Sequence, residues 1–259
     1  NFFAPIFLYG LRFLFMGLIS VSFSKFPRKD FSKIFLLSIL QTLCFYGIAL
    51  GIKNIDSSTA SIVSRLDVLF SILMGIYFLK EKVNYTTFIG VFLCLIAVYI
   101  IGNNISLNNI FYLFLLVLSA VFSSAANLLI KYIKHTKTMD ITVWSSMLMG
   151  IELLIISKFT EAEGIIQTPN IKAILAFLYL AVISTYVGYF LLYYLLKKYE
   201  MSKIMPYNFV RPVIAIFVGY LILQEPITIN KIIGVILINI GIFISQKNFK
   251  INKENNQIE

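Results

Sequence analysis

Apolar runs of about 17–25 residues, each long enough to cross a hydrocarbon layer, recur along the whole chain with only short breaks between them. Lipid offers no partner for a backbone N–H or C=O, so only helices and closed barrels span it. A barrel strand needs about 9–11 residues with alternating polarity. These runs are about twice that length and do not alternate, so they read as helices. Nine spans are predicted, at 6–24, 34–52, 57–79, 84–102, 110–130, 140–157, 171–196, 203–223 and 231–246. The fold class is therefore an all-α polytopic membrane protein.

Composition agrees. Only 13% of the 259 residues are charged and 59% are hydrophobic, whereas a soluble domain carries about 25% charged residues. The formal net charge of +10 does not point to nucleic acid, because no basic stripe or phosphate-cradling loop accompanies it. The charges sit in the breaks between spans. Fifteen basic residues fall in one alternating set of loops, from Lys25, Arg28, Lys29 and Lys33 to Lys247, Lys250 and Lys253. The other set holds four: Lys53, Lys158, Lys172 and Lys231. Positive loops stay cytoplasmic, so the expected C-terminus is inside and Asn1 outside, in a bacterial inner membrane.

Two stretches repeat. "FLKEKVNYTTFIGVFLCLIAVYI" (78–100) aligns without gaps on "ILQEPITINKIIGVILINIGIFI" (222–244) at an offset of 144. Leu79, Glu81, Ile89, Gly90, Val91 and Leu93 recur as Leu223, Glu225, Ile233, Gly234, Val235 and Leu237. Five spans separate the two glutamates, which places the copies on opposite sides of the membrane. Inverted repeats of this kind characterise secondary transporters. The expected division is 1–103 for a first repeat with four of its five helices, 104–247 for a second with five, and 248–259 for a polar cytoplasmic tail. On this reading one helix precedes Asn1 in a ten-helix parent.

The same stretches carry a family resemblance. "YGLRFLFMG" (9–17), "LKEKVNYTTFIGVFLCLIAV" (79–98) and "RPVIAIFVGYLILQEPITINKIIGVILINIGIFI" (211–244) resemble the EamA-type transporters of the drug/metabolite transporter superfamily. That resemblance implies two five-helix repeats and transport of small metabolites. Amino-acid and metabolite export is the common assignment, and import of S-adenosylmethionine or a nucleotide-like metabolite also occurs. Val68 stands where the family often has Pro, and Lys80 and Gln224 replace its usual Gly before Glu. A degenerate, non-transporting scaffold is the remaining alternative.

Five ionisable residues lie inside spans: Arg12, Arg65, Asp67, Glu152 and Arg211. Each costs about 2.5–3.5 kcal/mol at the bilayer centre on insertion scales, so such residues face cavities or partners. Arg65 and Asp67 stand about 200° apart on an ideal helix, so they are not expected to meet. Asp67 and Arg211 are repeat equivalents and are expected to pair, which leaves Arg65 for a solute carboxylate or phosphate; a packing ion pair is the plainer alternative. Glu152 is a candidate proton carrier, since lipid favours a lone carboxyl in its neutral form; a plainer role is to partner Arg12 or to lie near the outer interface. Arg12 itself is divided between lining a cavity and fixing helix packing. Three arginines against two acids favour an anionic or zwitterionic solute.

Further candidates are Asn127, Asn208, Tyr186 and Tyr189. Tyr186, Tyr189 and Tyr193 share a face at helical spacing, with Tyr193 and Tyr194 also candidates for an interfacial belt. The small residues of "SAVFSSAANLLIK" (119–131) permit close helix approach, and Pro206 and Pro212 free carbonyls in one span. Glu81 and Glu225 read as helix-end electrostatics, and Trp144 as an anchor. Cys44 and Cys94 read as small core hydrophobes. No metal or cofactor is expected. An intramembrane enzyme is disfavoured because the sole histidine, His135, lies in a loop and Asp67 and Glu152 lack catalytic partners. The partners expected are a small solute, the bilayer and protons as coupling ion.

Overall fold

A computed structural model describes residues 3–55, 60, 63–81, 85–102, 110–161, 164, 170–209, 214, 217, 220–221, 224 and 228–255. The architecture is all-helical. Its helices are α1 (Pro5–Val21), α2 (Phe31–Asn54), α3 (Leu66–Leu79), α4 (Tyr85–Gly102), α5 (Ile110–Tyr132) and α6 (Thr138–Thr160). Then follow α7 (Ile171–Tyr179), a π-helical segment (Leu180–Val187), α8 (Gly188–Lys198), α9 (Met201–Ile204), a 3-10 turn (Met205–Phe209) and α10 (Ile229–Asn255). Among the described residues, four runs are long and apolar enough to cross a membrane: Phe31–Asn54, Ile110–Tyr132, Thr138–Thr160 and Ala173–Lys198. Their outward faces carry Leu36, Phe114, Ile155 and Leu175, all exposed. Lipid is the solvent that suits such faces.

The helices form two compact units that do not follow the sequence repeats. Residues 1–50 with 125–199 make one, and residues 51–124 with 200–259 make the other.

In the first unit, α1 lies antiparallel to α6. Gly10 meets Leu154, Gly150 meets Leu14 and Gly17 meets Met147. A Cβ on Gly17 would stand 2.6 Å from the Met147 Cβ, and one on Gly150 would run into the Leu14 backbone. The two helices therefore approach only because these positions lack side chains. Both ends of the pair are tied. Pro5 opens α1 without a side-chain cap, and the Glu161 carboxylate accepts hydrogen bonds from Ile6 N (3.0 Å) and Phe7 N (2.9 Å). That satisfies two orphan donors with the charge that a helix N-terminus favours. At the other end Lys25 N donates to Asp140 Oδ1 (2.9 Å), and Trp144 Nε1 donates to Lys25 O (3.1 Å). The core holds Ile6, Phe13, Ala49, Met149 and Leu153 with Tyr9, Phe45 and Tyr189 against them. Cys44 is buried; the side chain of Cys94 lies outside the described residues.

In the second unit, α4 packs along α10. Small residues on α5 admit α3: the Ser124 hydroxyl lies 2.7 Å from Asp67 O and 2.8 Å from Ala120 O. Helix α3 ends on Lys80, whose φ of 54° is left-handed, with Lys80 N and Glu81 N both donating to Gly75 O. Among the described non-glycine residues, positive φ occurs at Lys80 and Gln224, both at 54°. They stand 144 positions apart, the offset that relates the two sequence copies. These are also the positions where the EamA-type resemblance calls for Gly, the residue that takes this conformation without strain. The Glu81 carboxylate accepts Met201 N (2.9 Å) and Ser202 N (3.1 Å) and so caps α9. The sequence reading of Glu81 as helix-end electrostatics holds in this form. Glu225 lies outside the described residues.

Three sequence expectations change. The span expected over 57–79 is broken: Val63 is helical, Ser64 and Arg65 form a turn, and α3 starts at Leu66. The span expected over 171–196 is helical but not α-helical throughout, because Leu180–Val187 winds as a π-helix. Tyr193 does not lie in an interfacial belt; it is 1% exposed and its hydroxyl takes a hydrogen bond from Gln41 Nε2. Pro206 falls where the α-turn tightens into the 3-10 segment, while Pro212 lies outside the described residues.

Candidate functional site

The candidate residues divide between the units. Arg65, Asp67 and Asn208 belong to the second. Arg12, Asn127, Glu152, Tyr186 and Tyr189 belong to the first. Arg211, and with it the expected Asp67–Arg211 pair, lies outside the described residues.

In the second unit the turn at Ser64–Arg65 overturns the expectation that Arg65 and Asp67 point apart. Arg65 is the residue before the first turn of α3 and Asp67 lies in that turn. The 200° separation belongs to a continuous helix, and this chain has none there. Arg65 Nη1 lies 3.9 Å from Asp67 Oδ2, with the side chains only 11% and 9% exposed. Arg65 Nη2 also lies 3.1 Å from Ser64 Oγ. The helix N-terminus favours the Asp67 carboxylate. Hydrogen bonding is nevertheless incomplete. Among the described residues, Arg65 Nε and Nη1, Asp67 Oδ1 and Ser71 Oγ are buried without a hydrogen-bond partner. Asp67 and Ser71 stand one turn apart on α3, so this is one continuous polar face. Asn208, in the 3-10 turn, directs Nδ2 at Met205 Sδ (3.7 Å).

In the first unit Arg12 is 9% exposed and sits among aromatic rings. Its guanidinium carbon is 4.7 Å from the Phe13 centroid, 5.1 Å from Tyr9 and 5.9 Å from Phe45. Cation–π contacts of this kind stabilise a desolvated arginine by about 2 kcal/mol or more. They leave Arg12 Nε without a hydrogen-bond partner. Tyr189 extends the box, with ring centroids 5.8 Å from Phe13 and 5.6 Å from Tyr193. No ring contact joins Tyr186 to them among the described residues. The π-helical turn that contains Tyr186 has a longer period than the α-helix that carries Tyr189 and Tyr193, so the shared face read from 3.6-residue spacing holds only for those two. Asn127 is buried on α5.

Glu152 does not pair with Arg12. It meets two hydroxyls of α2: Ser38 Oγ is 2.8 Å from Oε1 and Thr42 Oγ1 is 2.6 Å from Oε2. Ser38 and Thr42 are themselves buried. Ser38, Thr42 and their neighbour Gln41 are not among the candidates expected from the sequence. Their signal was present: polar residues at i, i+3 and i+4 in an otherwise apolar run share one helix face.

This is a helical membrane protein whose buried charged side chains are held by hydroxyls, rings and helix ends. The family comparison gives it a class: the EamA-like transporter family matches residues 1–103 and 110–246, and the chain belongs to that family, within the drug/metabolite transporter superfamily. A "Probable amino-acid metabolite efflux pump" of Salmonella typhimurium is 27% identical, over 96% of this chain and 88% of its own length. A protein of the same description from Escherichia coli is 27% identical over 93% and 85%. An "Uncharacterized transporter" of Archaeoglobus fulgidus is 27% identical over 94% and 89%. A solved crystal structure shares the fold at a TM-score of 0.72, covering 93% of this chain and 87% of that one at 13% identity.

Proposed function

We propose that this transporter is a secondary carrier of a small zwitterionic or anionic organic solute of the amino-acid class. It works by alternating access of two inverted five-helix repeats in a cytoplasmic membrane, with the lysine-rich loops and the C-terminus inside. The observation that carries the solute class is the α3 polar face. A buried arginine, carboxylate and hydroxyl there leave four polar atoms without a hydrogen bond among the described residues, one of them Arg65 Nη1, which keeps only its long contact with Asp67. Buried polar groups are paired in the great majority of cases, and unpaired ones call for an explanation. A solute carrying both an ammonium and a carboxylate supplies the missing acceptor for Arg65 and the missing donor for Asp67 Oδ1. The descriptions of the Salmonella and Escherichia relatives agree with that class.

The test is counterflow in proteoliposomes against labelled amino acids, S-adenosylmethionine, nucleotides and a cationic dye. Saturable exchange of amino acids, lost in Asp67→Asn and Arg65→Gln at normal expression, is the expected result. Exchange of the nucleotide or dye class instead, or amino-acid exchange that survives both substitutions, would refute the assignment.

A further inference from the structure

We infer that two loops at the lysine-rich end of the first unit form a binding site for an anionic phospholipid, with its phosphate on Arg28 and Lys29 and its acyl chains along an aromatic stripe on α2. The inference uses the membrane placement of the chain and none of the solute reading.

The loops are 22–30, between α1 and α2, and 133–137, between α5 and α6. Hydrogen bonds join them into one surface. Asp30 Oδ2 accepts from His135 N and from Thr136 Oγ1, each at 2.9 Å. Lys33 Nζ donates to Tyr132 O at 2.9 Å, and Lys197 Nζ donates to Thr136 O at 2.7 Å. The acids of this surface face inward. Asp30 is 1% exposed and Asp140, which accepts Lys25 N, is 8% exposed. The exposed charges of the two loops are Lys25, Arg28, Lys29, Lys134 and Lys137, and all are positive. None of these five side chains has an ion pair or a hydrogen bond among the described residues. Like charges gathered on one face attract an anion.

The apolar surface beside them makes that anion a lipid. Phe26 is exposed. Its ring stacks on Phe31 with centroids 5.2 Å apart and meets Trp144 edge-on at 4.9 Å. Phe31 in turn stacks with Phe35 at 6.5 Å. Phe31 and Phe35 lie one turn apart, so the stripe runs from the loop down α2, a helix long and apolar enough to cross a membrane. Arg28 N donates to Phe26 O at 3.0 Å, and Asp30 N donates to Pro27 O at 3.2 Å. This tight turn sets Arg28 and Lys29 at the head of the stripe. Free phosphate or an acidic peptide in water would engage the bases and leave the rings bare. A phospholipid engages both, with its phosphate on guanidinium and ammonium and its chains on the rings. Basic residues just beyond a membrane span attract anionic headgroups, and aromatic rings favour headgroup depth.

Trp144 is the one tryptophan of the chain, and its Nε1 is held by Lys25 O at 3.1 Å, so the site carries its own probe. The purified chain is reconstituted in phosphatidylcholine vesicles containing either brominated phosphatidylglycerol or brominated phosphatidylcholine. Quenching of Trp144 fluorescence gives the binding constant of the first lipid relative to the second. Wild type should favour phosphatidylglycerol. Arg28→Gln with Lys29→Gln should lower the ratio about twentyfold, about fivefold for each base. Lys134→Gln with Lys137→Gln should lower it too, and reads the same surface if the first variant fails to fold. Lys53→Gln with Lys158→Gln removes two charges from the other set of loops and should leave the ratio unchanged. A ratio of one in wild type would overturn the inference, as would a ratio that survives both loop variants. An equal fall in the Lys53 and Lys158 variant would make net charge the source and overturn it as well. Inorganic phosphate at matched ionic strength should not displace the lipid; if it abolishes the preference, the site takes free phosphate and the lipid assignment fails.

Discussion

Thr42 Oγ1 stands 2.6 Å from Glu152 Oε2, joining two helices across 110 positions of sequence through a single hydroxyl. At this position the carboxyl is matched to hydroxyl donors, whereas Asp67 is matched to the Arg65 guanidinium. Thr42→Val keeps the shape and removes the donor. It should cost about 0.5–1.5 kcal/mol, the net contribution of one hydrogen bond, since the Glu152 acceptor is only partly buried. Thermal unfolding of the purified variant checks it, and a value near zero would mean that the hydroxyl stabilises nothing.

Close approach of α1 and α6 depends on Gly150 and Gly17. Gly150→Leu should force the helices apart or drive Leu14 out of place. Overpacking of this kind costs about 1–3 kcal/mol, occasionally more. Because the same helices carry Arg12 and Glu152, the variant should lose transport as well as thermal stability. Wild-type behaviour in both assays would contradict the packing described.

Lys80 and Gln224 hold left-handed backbone at φ 54° with side chains attached. The left-handed conformation costs a non-glycine residue about 1–2 kcal/mol. Substituting glycine relieves that but adds unfolded-state entropy. Lys80→Gly and Gln224→Gly should each raise stability by about 0.5–1 kcal/mol. Unfolding temperatures of the two single variants and the double should rise in steps; a fall in either would show that the side chain contributes more than the backbone strain costs.

Asp30, in the loop between α1 and α2, should give stability a pH dependence. Burial pushes its carboxyl up. Hydrogen bonds from Thr136 Oγ1 and His135 N, with Lys33 beside it, outweigh that and hold it below the ordinary value. A carboxyl with a lowered folded-state value stabilises fully above its unfolded value of about 3.9 and loses that contribution as pH falls through the folded one. Wild type should therefore exceed Asp30→Asn in unfolding temperature at pH 7, and the gap should shrink below about pH 4. A gap that stays constant into acid would exclude the charged form as its source.

Glu81 caps α9 from another part of the chain. Glu81→Ala frees Met201 N and Ser202 N and should cost about 0.5–2 kcal/mol, the range for loss of a helix cap. Glu81→Gln should recover part of it, since an amide oxygen still accepts. Equal losses in the two variants would locate the effect in charge alone.

The sequence alone determined the class of this protein and most of its helix positions. Lipid removes every backbone alternative but helix and barrel, so run length and lack of alternation were enough. The family resemblance also marked Lys80 and Gln224, because a local backbone conformation leaves a local signature, the place where the family's usual glycine is replaced. What the sequence could not supply were relations set by helical phase and by distant partners. Two residues of turn at Ser64–Arg65 brought Arg65 to Asp67, against the ideal-helix angle. One stretch of π-helix at Leu180–Val187 separated Tyr186 from Tyr189. Ser38 and Thr42 could be read as a polar face of α2, but not as the partners of Glu152, and Gly150 could not be assigned to Leu14. Spans follow from local composition and solvent. Which side chains meet follows from accumulated rotation along each helix and from packing between segments more than a hundred residues apart, and those are decided only when the tertiary structure forms.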